Sequence, residues 1–504
     1  MRRTVLFLLL TVVMLPVIGQ EVIGQDFIGQ EVTFSRNCRP RLDRIDLSRH
    51  TQRRASATNV TEGDTIGNPL IGERHQLVVL AAFADKGFRG DSLQTIRHWN
   101  NTLNTKNLSD NQLYGSLHDY FYDQSYGQLD LSFDLFYAQV DSMKKYRSTQ
   151  YDDENSKYLV QDIVEIIKDS INDWGQYDWD NDGKVDQLLI LYAGKGMNDG
   201  GGNMSIWPHQ WWMSEHDSCE SIPVTTGFKT YLIDAYCAVQ ELSGKGDYGT
   251  FGTLCHEYSH CFGLPDLYDG SMSYLGSWDL MDEGNYNGSG FHPCGYSAFE
   301  RTYLGWLNPV ELNNDTVVDG MKALSDAPVS YLIRNDGWAD EYYLVENRQM
   351  KGWDESLPGS GIVVCHVDYD DYIFHNGSVN NKNRQLYTII PANGLTYTSK
   401  ANMKYWAYPY ADNDSLTNTS APAAELNKSN RDGSLLMSKP LTEMTVVNGL
   451  ASFRFANLLK DYTLVPPIRL EGKGEWFTID GRLLPGKPVV HGLYIHEGRV
   501  VLVK

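Results

Sequence analysis

Between residues 77 and 195 the chain alternates two kinds of apolar pattern. Leu77 to Phe83 is an unbroken apolar run, which predicts a strand buried on both faces. Leu113, Leu117, Tyr120 and Phe121 have helical spacing, and the segment breaks at Gly127. Leu129, Leu131, Phe133 and Leu135 then alternate with polar residues, the pattern of a half-buried strand. Leu159, Ile163, Ile166, Ile167 and Ile171 make one apolar helical stripe, and VDQLLILYAG predicts a second buried strand from Val185. Strands alternating with long helices predict a layered α+β domain with a mixed sheet up to residue 309.

Beyond Pro309 the period changes. VSYLIRN, EYYLVEN, GIVVCHVD and QLYTIIPA are short strand-like runs separated by Gly, Pro, Asn and Asp turns, with no long helical stripe. They predict an all-β accessory domain over 310–460. After the Pro466–Pro467 hinge, residues 465–504 read as a separate β tail of short strands around glycine turns. At the other end, two arginines and an apolar run from Val5 to Val17 predict a signal peptide over 1–19, too short to span a membrane comfortably. The repeated IGQEV-like unit of 18–32 cannot bury a core, so 20–72 reads as a pro-segment and 73–309 as the catalytic domain.

Composition narrows the partners. Of 504 residues, 43 are Lys or Arg and 64 are Asp or Glu, a formal charge of −21 that disfavours nucleic acid and supplies carboxylates for hard cations. No later stretch approaches transmembrane length. Seven cysteines in an exported chain leave at least one unpaired. Cys219 and Cys237 are the best-spaced disulfide pair, while Cys255 and Cys261 read as small buried residues rather than metal ligands.

The chemistry is concentrated in HEYSHCFGLPDLYD. On a helix, His256 and His260 project from one face and can grip one zinc ion, with Glu257 beside them as general base. Thr250 stands where a helix cap would. Gly263 tolerates the left-handed turn by which the chain must leave the helix. Asp266 occupies the third-ligand position of HExxHxxGxxH peptidases, and Met281 stands where a methionine turn would underlie the metal. Asp269 and Glu300 are the alternative third ligands, the latter from a downstream helix. These features together predict a metzincin-like zinc peptidase domain.

DYFYDQSYGQLDL, YDWDNDGKVDQ, IWPHQ, GTLCHEYSHCFGLPDLYD, WDLMDEGNYNG, LGWL, YYLVENRQ and LPGSGIVVCHVD extend the pattern far beyond the zinc motif. Through them the chain resembles the immune inhibitor A family of secreted bacterial zinc metallopeptidases, from Leu77 to Ala456. The resemblance implies an endopeptidase acting on proteins, with His256 and His260 as zinc ligands and Glu257 as catalytic base. The rival class is an inactive surface adhesin on the same scaffold, which intact His256, Glu257 and His260 disfavour.

DWDNDGKVD is a second metal signal. Asp178, Asp180, Asp182, the Lys184 carbonyl and Asp186 follow the first nine positions of a calcium loop, with Gly183 at the sharp turn. Position twelve is Leu189 rather than a bidentate glutamate, so a structural calcium of modest affinity is expected. Tyr286 is a candidate oxyanion donor, though a packed tyrosine is the simpler reading; His209 and His366 read as structural, and Ser360 lacks a GxSxG frame. Cys38, among Arg36, Arg39 and Arg41, is a candidate latency switch, and an unpaired cysteine is its simpler reading. The tail resembles the C-terminal segments by which some Gram-negative bacteria export and surface-attach proteins.

Overall fold

A computed structural model describes residues 70–110, 112–148, 153–270, 272–375, 379–460, 474–479, 482–496 and 499–503. The expected signal peptide, Cys38 and the Pro466–Pro467 hinge lie outside them, as does nearly all of the expected pro-segment.

The first half is built on strands β1 (Gly72–Phe83), β2 (Leu129–Val140), β3 (Lys184–Val185), β4 (Leu188–Lys195), β5 (His209–Trp212), β6 (Ile222–Thr226), β7 (Lys229–Ile233) and β8 (Ala235–Leu242). Five form a mixed sheet in the order β2-β1-β4-β8-β5, parallel throughout except for the antiparallel edge strand β5. Leu77 to Phe83 and Leu188 to Ala193 are buried along their whole length, as unbroken apolar runs require. Helices Ser92–Asn104, Leu117–Gln124 and Ser156–Ile167 pack on this layer.

Three sequence expectations change. Leu113 lies outside the helix, which begins at Leu117 because Ser116 and Asp119 form a capping box there. Ile166 is 45% exposed, so the buried stripe of its helix is Leu159, Val160, Ile163, Val164 and Ile167. VDQLLILYAG is two strands: Val185 pairs with Ile233 in the small sheet β3-β7-β6, and the main sheet resumes only at Leu188. Asp186 separates them, its backbone N–H donating to the Tyr177 carbonyl and its carboxylate accepting from the Trp179 N–H.

The second half is β-rich, with β9 (Val310–Glu311), β10 (Thr316–Met321), β11 (Tyr331–Arg334), β12 (Glu341–Arg348), β13 (Gly361–Asp368), β14 (Asn380–Asn381), β15 (Arg384–Gln385), β16 (Tyr387–Ile389), β17 (Leu441–Val447) and β18 (Leu450–Phe455). Sheets β16-β13-β12-β11-β9 and β10-β18-β17 enclose a core containing Ile333, Val345, Val364 and Phe453. The alternate residues of β12 and β13, among them Leu344, Val363 and Cys365, face the other way and join the core of the first half. The architecture is therefore mixed α/β with mixed sheets and a further β domain. The tail strands β19 (Trp476–Thr478), β20 (Leu483–Leu484), β21 (Gly492–His496) and β22 (Arg499–Val503) form their own sheet. Among the described residues no helix is long and apolar enough to cross a membrane.

Candidate active site

The helix Phe251–His260 carries HEYSH and is buried along its whole length. Thr250 precedes it but makes no side-chain cap; its hydroxyl donates instead to the Glu241 carbonyl at 3.2 Å, tying the helix start to β8. Gly252, one turn before His256, faces the backbone of Asn285 with no room for a side chain.

At the other end Gly263 adopts φ +90°, the left-handed turn its position called for. That turn folds the chain back so that the Leu264 carbonyl lies 2.8 Å from His260 Nδ1. From the opposite side the Leu280 carbonyl lies 2.9 Å from His256 Nδ1. Met281, fully buried, accepts the Leu267 N–H on its carbonyl at 2.9 Å, so the methionine segment and the segment bearing Asp266 are pinned together. The two carbonyls carry no signal in the sequence, because every residue has one; only the fold selects them. Tyr268 also stacks on His256, 6.3 Å between ring centroids, a contact that sequence spacing does not encode.

A carbonyl can only accept, so each Nδ1 carries its proton and each Nε2 of the neutral ring is left with a lone pair. Both lone pairs converge on one oxygen: Asp266 Oδ1 lies 3.2 Å from His256 Nε2 and 3.3 Å from His260 Nε2. Burial alone would lower the pKa of His256, but Asp266, Glu257 and the Leu280 carbonyl override it and push it up to about 9. Despite its own burial, Asp266 is held well below the usual carboxylate range by the two imidazoles. The pocket favours positive charge among three acceptor atoms, which is the donor set of a zinc ion with two imidazoles and a carboxylate. Residues and metal fit.

Glu257 is buried, which raises its pKa; the histidines pull it down and Asp266 pushes it up again. Tyr286 is 48% exposed as a residue, yet its hydroxyl is pushed up to about 12 by burial and then by the charge of Glu257. Neither alternative ligand joins His256, His260 and Asp266 in that cluster among the described residues. A Glu300 carboxylate oxygen accepts the Ser297 N–H at 2.6 Å in a helix capping box, and Asp269 forms a backbone bridge to Met272.

The acidic loop is the other group of metal-ligating side chains that comes together among the described residues, through Asp178, Asp180 and Asp182. Asp178 accepts from the Asp182 N–H at 3.0 Å and the Gly183 N–H at 3.1 Å, a wrap made by Gly183 at φ +88°. Asp186 stays outside that triad. Lys229 Nζ lies 3.6 Å from Asp178 and competes with any cation there.

The expected Cys219–Cys237 disulfide is absent: both are free thiols, Cys237 fully buried on β8 and Cys219 within 3.4 Å of Gln161 Nε2. Spacing along the chain is a poor guide here because Cys237 points into the core. Cys255 is buried and Cys261 half-buried, neither among the zinc-binding candidates. His209 hydrogen-bonds Tyr236 OH at 3.0 Å, His366 pairs with Glu341 at 2.7 Å, and Ser360 accepts the Met350 N–H at 2.9 Å.

Known proteins similar to this chain are peptidases. Residues 86–307 match the immune inhibitor A peptidase M6 catalytic domain. Immune inhibitor A of Bacillus thuringiensis subsp. alesti is 30% identical over 201 residues, covering 32% of this chain and 27% of that protein. The pre-pro-metalloprotease PrtV of Vibrio cholerae serotype O1 (strain M66-2) is 27% identical over 149 residues, covering 26% of this chain and 16% of that one. The chain thus matches about a quarter or less of the length of these relatives. Over residues 86–307 the chain is thus similar to the catalytic domain of the immune inhibitor A (M6) peptidases.

Proposed function

We propose that the chain is a secreted, zinc-dependent endopeptidase on a metzincin-like scaffold, made as a precursor and acting on protein substrates. The observation that carries this reading is the convergence of His256 Nε2 and His260 Nε2 on Asp266 Oδ1 beside Glu257. His256, His260 and Asp266 would hold the metal, with Gly263 and Met281 fixing their geometry. Zinc bound there would supply Lewis-acid polarisation of the peptide carbonyl and make a water proton easier to remove near neutral pH. Glu257 takes that proton and delivers it to the departing amine. Its burial raises its proton affinity, which suits a group that must both accept and return a proton.

Asp178, Asp180 and Asp182, joined by Asp186 and the Lys184 carbonyl, would hold a structural calcium that fixes the turn leading into β3 and β4. The apolar N-terminal run supports export, and the separate tail sheet supports surface attachment through residues 465–504.

Zinc analysis of wild type beside Asp266→Ala and Glu300→Ala, with a casein digest in the presence and absence of a zinc chelator, tests the reading. Wild type and Glu300→Ala should hold zinc and Asp266→Ala should lose it. Zinc kept in Asp266→Ala and lost in Glu300→Ala overturns the ligand set, and a metal-loaded mature protein that leaves casein intact overturns the activity.

A further inference from the structure

The β domain holds a cavity of about 470 Å³, far in sequence from HEYSH, whose lining includes Trp338, Asp368, Lys382, Arg384, Asn427 and Lys428. It is within the size range of small-molecule sites. Three cations, Lys382, Arg384 and Lys428, and two carboxylates, Asp368 and Asp370, border it, a slight excess of positive charge in a chain whose formal charge is −21.

Its polar parts are held from below. Glu341, fully buried, accepts the backbone N–H groups of both Asn427 and Lys428, the Asn335 amide at 2.9 Å, and pairs with His366 at 2.7 Å. The Glu341 N–H in turn donates to the Trp338 carbonyl at 3.0 Å. Opposite, the Asn381 side chain accepts the Asn383 and Arg384 N–H groups at 3.0 and 3.1 Å and shapes the hairpin that bears Lys382 on its turn and Arg384 at the start of β15. A buried carboxylate that organises an exposed loop costs desolvation, and the rigid array it creates lowers the ordering cost of binding.

The chemistry of the wall selects a ligand class. Trp338 is 49% exposed and its ring borders the cavity with Lys428 Nζ 5.9 Å from its centroid; the negative quadrupole of such a ring attracts cations and the polarised C–H face of a pyranose alike. Asp368 is nearly buried and bonds Asn427 Nδ2 at 3.1 Å, with Lys428 Nζ 3.9 Å away. Its carboxylate can only accept from a ligand while ionised, so it matches hydroxyl donors and repels a purely anionic ligand. Lys382, Arg384 and Lys428 match a carboxylate or sulfate. A ligand carrying hydroxyls, a flat C–H face and an acidic group satisfies all three; an acidic peptide leaves Asp368 facing like charge.

We propose that this cavity binds an acidic saccharide, with Trp338 stacking on a sugar ring, Asp368 and Asn427 reading hydroxyls, and Lys382, Arg384 and Lys428 holding its acidic group. The assignment does not depend on the peptidase reading.

Isothermal titration of the full chain with hyaluronan tetrasaccharide, neutral chitotetraose and tetraglutamate tests it. Hyaluronan should bind, and Trp338→Ala, Arg384→Glu and Lys382→Glu should each weaken it by roughly tenfold or more, about 1.4 kcal/mol. All three side chains are exposed, so melting temperatures should match wild type, and Lys382→Glu serves if another variant is misfolded. Chitotetraose should bind at least tenfold more weakly. No binding of hyaluronan, binding indifferent to all three variants, or equal affinity for tetraglutamate would overturn the proposal; the last would make the cavity a simple anion site.

Discussion

Gly252→Ala sets two known effects against each other. Within a helix, alanine is better than glycine by about 1 kcal/mol, so on propensity alone the variant should be more stable. The structure predicts the reverse. A Cβ at residue 252 would lie 1.8 Å from the Asn285 carbonyl oxygen, 2.8 Å from its carbon and 3.2 Å from its Cα, all backbone atoms that cannot rotate away. Relief requires the HEYSH helix and the segment Gly284–Gly290 to separate by more than ~1 Å, and overpacking of this kind costs about 1–3 kcal/mol or more. The displacement also reaches the chemistry. His256 is one turn further along the helix and bonds the Leu280 carbonyl, just ahead of the segment being pushed, while a misplacement of about 1 Å can cost on the order of a hundredfold in rate. Thermal melts, zinc stoichiometry and casein hydrolysis of Gly252→Ala should therefore fall together. A variant that melts higher than wild type with full zinc and full activity would show that the helix does not rest on Asn285 as described.

Other changes separate the roles of individual groups. Glu257→Gln should keep zinc and lose about 10²–10⁴ in kcat, measured on a quenched peptide; near-normal turnover would remove Glu257 as the base. Calcium at a hundred times its Kd should stabilise wild type by about 2.7 kcal/mol, and Asp180→Ala should lose that gain; melting curves identical with calcium and with a calcium chelator would leave the acidic loop a plain turn. Burial, with neighbouring Asp282, pushes Asp279 up to about 7, and Glu300 beside it is raised as well. The folded state then holds protons that the unfolded state releases at lower pH, so stability should decline as pH rises from about 4 to 7. Asp279→Asn, which keeps the acceptor for the Met281 N–H, should flatten that decline in denaturant titrations, and an unchanged slope would place the titration elsewhere.

Where the sequence was legible, a local physical rule had one solution. Leu77–Phe83 can only be buried on both faces, and Gly263 stands where a helix must turn left-handed to bring Leu264 and Asp266 back toward the histidines. What could not be read depended on contacts between distant segments. Nothing in VDQLLILYAG says that Val185 pairs with Ile233 while Leu188 pairs with Leu77. Nor does spacing reveal that Cys237 points into the core, that Thr250 spends its hydroxyl on Glu241, or that backbone carbonyls orient both imidazoles.

The same distinction bears on where the catalytic unit ends. The hydrophobic period changes at Pro309 and the family match stops at residue 307, but the core continues past both. Asn380 donates to the Leu267 carbonyl at 2.9 Å, next to Asp266, and the Trp278 indole N–H donates to the Met403 carbonyl at 3.1 Å, three residues before Met281. Tyr387 donates to Ser297 at 3.0 Å, and Phe299 packs on its ring at 4.6 Å. Arg348, fully buried, clamps Asp354 and also donates to the Gly295 carbonyl at 2.9 Å, so removing the β domain would leave buried polar groups unpaired around the methionine segment. Two of these ties fall beside the residues that orient the candidate zinc site. The β domain is therefore part of what holds Asp266 and Met281 in place, and the geometry of the site is a property of both halves of the chain.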